Sequence, residues 1–210
     1  MRFTLPAFTF IILAGCGYSL QGTYSPLLEK EGVSKIYIEK IKNLTFKPGI
    51  EDVVYNALIK KLVSQGRVKL VREKEQADAI LSGEITYADY TPATQRAYSF
   101  APAYRKPEDP PLYILVASTY TANLACSFSL KRNPALLTIL NNNADQNKPK
   151  KAALVWSSTF TRTTQFQANN QMGIPGTTAA LINESEFDRA IANLAESMMG
   201  DLHESMLAMF

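Results

Sequence analysis

The apolar positions of the chain follow two periods. "KIYIEKI" (35–41) alternates, with Ile36 and Ile38 on one side, and predicts a strand. After Pro48 and Gly49, the residues Ile50, Val53, Val54, Ala57, Leu58 and Leu62 recur at helical spacing. Glu51 and Asp52 in the first turn, Lys60 and Lys61 near the last, and Gly66 beyond it complete a helix signature. "RVKLVR" (67–72) predicts a short strand with Val68 and Leu70 inward. "AILSGEITYADY" (79–90) predicts another, with Leu81, Ile85 and Tyr87 on a common face and Gly83 between them. From Tyr113 to Leu130 the even positions, among them Tyr120, Leu124, Cys126, Phe128 and Leu130, are mostly apolar, and the odd positions are mostly small or polar. Such a strand has one face in a core and one face wet. Leu154, Trp156, Phe160 and Phe166 repeat the pattern. A last stripe, from Phe187 through Ile191, Leu194, Met198, Leu202 and Met206 to Met209, predicts a terminal amphipathic helix. Asn183 is its expected cap, with Glu186 three residues on as in a capping box.

The order strand, helix, four strands, helix predicts an α+β fold. Two amphipathic helices pack on one face of a mixed four- to five-stranded sheet, a two-layer sandwich. The first strand-helix-strand unit should cross right-handedly to a parallel neighbour, and the later strands should form an antiparallel meander. Between them, 91–112 reads as a long connection rich in Pro and Tyr, and "NNNADQNKPKK" (141–151) as a solvated low-complexity loop.

Ahead of this domain stands "IILAGCGYSLQG" (11–22). The apolar run from Phe3 to Leu13 is too short to span a bilayer, follows one basic residue, Arg2, and ends in small residues. That is the layout of a secretory signal peptide. Leu13-Ala14-Gly15-Cys16 resembles the bacterial lipobox, which implies cleavage before Cys16 and acylation of its thiol and amine. Several acyl chains on one residue would anchor the protein stably. Gly17, where an aspartate would favour retention at the inner membrane, favours an outer-membrane address. The expected division is a signal peptide over 1–15, a lipidated tether over 16–34 with turn residues Gly22, Pro26 and Gly32, and a single domain over 35–210.

Charge and composition narrow the chemistry. A formal net charge of +3 on 210 residues provides no global basic field, so nucleic acid is not an expected partner. Cys126, the one cysteine left when Cys16 is acylated, is best buried. The single histidine, His203, lies in the terminal helix and reads as a surface or boundary residue. Metal-ligand clusters and Cys-x-x-Cys pairs are absent. "GIPG" (173–176) lacks the spacing and the lysine of a phosphate loop, and Gly-x-Ser-x-Gly does not occur. Glu29, Glu31, Glu73 and Glu75 sit in charged stretches among lysines and read as solvated. No catalytic residue, metal or cofactor is expected, and the chain does not read as an enzyme.

Several stretches carry a family resemblance. They are Cys16-Gly17-Tyr18-Ser19-Leu20-x-Gly22, "IYIEKIKNLTFKPGIEDVVYNAL", "GRVKLVREKEQADAILSGEI" and "NESEFDRAIANLAESM". Together they are similar to the LPS-assembly lipoprotein E (LptE) family, most specifically at Gly49-Ile50-Glu51 and Ala77-Asp78-Ala79-x-Leu81-x-Gly83. The resemblance implies an outer-membrane lipoprotein that plugs an LptD-like β-barrel translocon and binds lipopolysaccharide. The sequence departs from the family pattern at 91–112 and 131–151.

The predicted topology sorts the basic residues by end. The 91–112 and 168–183 connections should share one end of the sheet. There Arg96, Arg105 and Lys106 interleave with Tyr98, Phe100, Tyr104 and Tyr113. Guanidinium groups suit phosphates, and tyrosines add contact area with a polar handle, a mixture that suits a phosphorylated glycolipid headgroup or the inner wall of a barrel; these three basic residues are the candidate lipopolysaccharide contacts. An ordinary solvated loop is the alternative. The other end carries Lys131, Arg132, Lys148, Lys150 and Lys151 without aromatics. Two further readings stay open: a lipoprotein activator or scaffold for an envelope synthase or secretion channel, and a lipid-anchored enzyme acting on envelope polymers.

Overall fold

Ile36 and Ile38 are both buried, and the strand that holds them, β1 (Lys35–Ile38), pairs in parallel with a neighbour on each side. The computed structural model describes residues 26–100, 110, 112–142, 151–168 and 179–207. In chain order the elements are α1 (Pro26–Glu31), β1, β2 (Lys42–Asn43), α2 (Ile50–Gln65), β3 (Lys69–Leu70), a 3-10 turn over Lys74–Gln76, β4 (Ala79–Phe100), β5 (Leu112–Arg132), α3 (Pro134–Asn142), β6 (Leu154–Gln167) and α4 (Ala179–Leu207). The sheet runs β3-β1-β4-β5-β6, with the two-residue β2 also on β4, which makes six strands. The β1, β2 and β3 pairings are parallel, and β4, β5 and β6 form the antiparallel meander. This is the expected α+β two-layer arrangement.

Helix α2 ends where Gly66 adopts a left-handed φ of 62° and donates its N–H to the Leu62 carbonyl, a geometry that glycine adopts without strain. Its buried face (Ile50, Val54, Ala57, Leu58, Leu62) and that of α4 (Phe187, Ile191, Leu194, Met198, Leu202, Met206) close over Leu81, Ile85, Leu124, Phe128 and Leu130 in one core. Cys126 is buried there, and burial pushes its thiol up to about 12. Arg162 donates from Nε to Asp201 at 2.7 Å, and Trp156 from Nε1 to Ser205 at 3.3 Å, joining β6 to α4.

Several sequence expectations need correction. Residues 91–100 are not a connection: β4 and β5 stay paired out to Phe100 opposite Leu112, as one long hairpin. Tyr87 does not share the face of Leu81 and Ile85. Ile85 pairs with Cys126 and Tyr87 with Ala125, so Thr86 is an extra residue, and this β-bulge turns Tyr87 outward and Ala88 and Tyr90 inward. A bulge on β6, at Val155, leaves Leu154 exposed. Asn183 is no cap, because α4 already begins at Ala179; it is buried within the helix. His203 is buried too, and not at the surface. Residues 26–31, inside the expected tether, form α1, and Leu28 and Val33 are in the core. The loop expected after β5 begins with α3. Glu31 is not free in solvent but ion-paired with the buried Arg132.

Candidate functional site

The hairpin formed by β4 and β5 runs on beyond the buried residues of the core. The core ends at Ala122, and beyond it the two strands continue as a ribbon in which Arg96 stands opposite Val116, Ala97 opposite Leu115 and Ser99 opposite Tyr113. Adjacent pairs alternate in direction, so Arg96 lies on one face of the ribbon, and Tyr113 and Leu115 lie on the other. Arg96 is exposed, as are Tyr113 (66%) and Leu115 (72%). Arg105 and Lys106 lie outside the described residues, and so does Cys16. Of the three candidate basic residues, the structure therefore places Arg96.

Four rings close the core at the root of this arm. Tyr90 meets Tyr120 edge-on at 5.1 Å and lies 4.7 Å from Phe187, while Phe166 stacks on Tyr120 at 5.6 Å. Burial raises the Tyr90 hydroxyl above its usual pKa. Lys47 reaches this cluster from the β2–α2 turn, with Nζ 5.5 Å above the Phe187 ring, 2.6 Å from Asp188 and ion-paired with Glu184. Burial alone would lower the Lys47 pKa, but the two carboxylates outweigh it and hold the ammonium charged.

Asn43 fixes the turn that carries Lys47. Its Nδ2 donates to the Lys47 carbonyl at 2.7 Å and to Glu51 Oε2 at 2.8 Å, and its Oδ1 accepts from Thr45 N at 2.9 Å and Thr45 Oγ1 at 2.7 Å. An Asx turn of this kind replaces strand pairing with local bonds. It leaves Leu44 and Phe46 pointing into solvent, Phe46 fully. Leu44, Phe46, Lys47, Tyr87 and Phe187 line an open groove of about 420 Å³. A second groove of about 560 Å³ lies between the end of β6 and α4, lined by Phe166, Gln167, Glu186, Arg189 and Asn193. Lys47 and Phe46 carry no periodic signal, since they lie in a turn with neither helical nor strand period.

The sheet face away from α2 and α4 has a distinct chemistry. Thr121, Asn123 and Ser127 on β5 stand opposite Gln165, Thr163 and Thr159 on β6, and Ser129 opposite Ser157. These uncharged hydroxyl and amide side chains are exposed or half-buried. At the far end of the sheet Lys131 and Lys151 are exposed, Lys148 and Lys150 lie outside the described residues, and Arg132 is buried, so it is no part of a surface basic set. The Arg132 guanidinium donates to the Glu31 carbonyl at 2.6 Å and to the Ala152 carbonyl at 3.2 Å, besides its ion pair with Glu31.

Among the described residues no three His, Cys, Asp or Glu side chains converge as metal ligands, and no helix is long and apolar enough to cross a membrane. Burial, with Arg67 nearby, lowers the His203 pKa and favours the neutral ring. The arrangement is equipped to bind: a projecting ribbon, two grooves at its root and an uncharged polar face from Thr121 to Ser129 on β5 and Ser157 to Gln165 on β6.

The profile of the lipopolysaccharide-assembly family LptE matches residues 33–206, more than half of the chain. No curated protein matches the sequence. Among solved structures, the chain is similar to a hypothetical protein of Chlamydia trachomatis at 7% identity and a TM-score of 0.46, covering 84% of this chain and 99% of that one. It is similar to the PelC dodecamer of Paraburkholderia phytofirmans at 15% identity and a TM-score of 0.39, covering 83% and 89%. It is also similar to the rare lipoprotein B of Shewanella oneidensis at 9% identity and a TM-score of 0.40, covering 82% and 93%.

Proposed function

The chain belongs to the lipopolysaccharide-assembly family LptE, and from that membership we propose an outer-membrane lipoprotein that docks inside an LptD-like β-barrel and presents lipopolysaccharide to it. Cys16 carries the acyl anchor, and the protein acts by binding, without a chemical step of its own. The observation that carries the docking is the face of β5 and β6 that points away from α2 and α4. Thr121, Asn123, Ser127, Thr159 and Thr163 make it polar but uncharged, which suits the polar interior of an outer-membrane barrel. The hairpin supplies reach along a lumen. Arg96, with Arg105 and Lys106, provides the cations for lipid phosphates.

Photo-crosslinking from Thr121 and Thr163 in intact membranes tests this reading. An integral barrel protein should be captured at both positions, and lipopolysaccharide should copurify. Capture of a soluble-domain synthase, with no barrel protein, would replace the reading by an activator or scaffold role.

A further inference from the structure

Helix α3 is an apolar helix that stays out of the core. Its sequence, PALLTILNN, contains no charged residue, and none of its residues is buried. Ile139 is 55% exposed and Leu140 38% exposed, with Leu136 on the same side one turn earlier. Pro134, Thr138, Asn141 and Asn142 take the opposite side. This exposure is held in place by the rest of the fold. Asn133, at the root of the helix, is buried: its Nδ2 donates to the Lys74 and Ala77 carbonyls at 2.9 Å, and its Oδ1 accepts from Ala135 N at 3.1 Å. The apolar side is therefore fixed facing outward.

The neighbours of α3 indicate what covers it. Arg132, two residues ahead of the helix, holds the end of α1 through Glu31. Lys151 donates from its backbone N–H to Asn141 Oδ1 at 3.0 Å and from Nζ to the Lys30 carbonyl at 3.4 Å. Helices α1 and α3 are thus stitched together at one end of the sheet. The chain that leads into α1 is the segment 16–25, which extends at most about 35 Å from Cys16. Lys30, Lys131 and Lys151 are exposed around the same end.

We propose that α3 lies in the surface of the membrane that holds the lipid anchor. Leu136, Ile139 and Leu140 enter the boundary between headgroups and acyl chains, and Lys30 and Lys131 face anionic headgroups. The proposal rests on the reading of Cys16 as acylated. A helix of 9 residues rises about 14 Å, far short of a crossing, so it lies in the plane of the surface. An apolar side beside a polar one, flanked by lysines, is the makeup of interfacial helices. Such a contact adds a second attachment beside the acyl chains and limits how the domain can turn on its tether.

The test places an environment-sensitive fluorophore at Ile139→Cys in the acylated full chain. Labelling is selective, because Cys126 is buried with its thiol pushed up to about 12. Asn56→Cys, on the exposed side of α2, is the reference position. In vesicles of phosphatidylethanolamine and phosphatidylglycerol, emission from position 139 should brighten and shift to the blue, and emission from position 56 should not. In a Cys16→Ala chain, changing Ile139 and Leu140 to Asp should lower partition into the same vesicles by on the order of tenfold or more. Acylated protein that floats with the vesicles while position 139 still reports water overturns the proposal and leaves the anchor standing. Wild-type chain that fails to float overturns the anchor and the proposal with it. A blue shift seen only on adding the barrel partner in detergent assigns α3 to a protein contact and overturns the membrane contact.

Discussion

The ring of Phe128 occupies the space where a side chain at Gly83 would stand. The two residues are paired across β4 and β5, and a methyl group at Gly83 would fall 2.6 Å from Phe128 Cε1 and 2.8 Å from Cδ1. Phe128 is fully buried, with Leu130 and Trp156 in the same core, so the ring has little room to retreat. Gly83→Ala should therefore cost about 1–3 kcal/mol, the usual penalty for overpacking a filled core. Thermal or urea unfolding of the purified domain measures it directly. An unchanged midpoint would mean that the ring moves aside freely.

Asp78 makes a prediction about pH. Its Oδ2 accepts from Ser34 N at 2.9 Å, Ser34 Oγ at 2.9 Å and Lys35 N at 2.8 Å, fastening the start of β1 to the entry of β4. Burial would raise its pKa, but these hydrogen bonds outweigh burial and hold it below the ordinary 3.8. A carboxylate with a lowered folded pKa stabilises the native state above its unfolded pKa and loses that contribution as pH falls through the folded value. Asp78→Asn should be less stable than wild type by about 1–3 kcal/mol at pH 6, since charge-assisted bonds are lost. The gap should narrow below about pH 4 as the wild-type carboxyl takes up its proton. Urea titrations of both proteins at pH 6 and pH 3 decide it, and a constant gap would assign the cost to shape and not to charge.

Arg96, Arg105 and Lys106 give the functional prediction. Changing all three to Ser should weaken lipopolysaccharide binding in vitro, more at low salt than at high salt, because exposed charges are screened. Folding should be intact, since Arg96 is exposed and makes no core contact. Changing Lys131, Lys148 and Lys150 controls for charge alone. Lys151 is left in place because it contacts Lys30 and Glu31. Equal losses in the two triple variants would indicate diffuse attraction without a site at the hairpin.

The elements that were legible in the sequence are those whose pattern is set locally. The stripes of α2 and α4 and the alternation of β5 are each visible in one segment. In α2, Val54, Leu58 and Leu62 are all buried as their spacing predicts. The residues most specific to the family resemblance also have physical roles, Asp78 as a fastener and Gly83 as room for a ring. What was hidden depends on neighbours distant in sequence. The strand over 91–100 lacks an apolar side, and among the described residues pairing with β5 alone defines it, so Pro92 sits on an open edge. His203 is buried by elements packed across α4, which a lone residue cannot signal. At the candidate site Arg96 was legible as an exposed cation, and the Lys47 groove was not, because a turn brings it to β4 and α4.

Thr86 has a consequence beyond its own position. Tyr87 and Tyr90, three residues apart, would fall on opposite faces of a regular strand, and the extra residue decides which of them goes to which side. With the insertion, Tyr90 joins the rings that seal the hydrophobic interior, and Tyr87 becomes a wall of the open groove. The bulge works as a spatial frameshift: at Leu81, Gly83 and Ile85 the odd-numbered residues belong to the interior, and at Ala88 and Tyr90 the even-numbered ones do. One strand can therefore serve a buried scaffold and an outward-facing surface under separate parity, and selection can rewrite the second without disturbing the first.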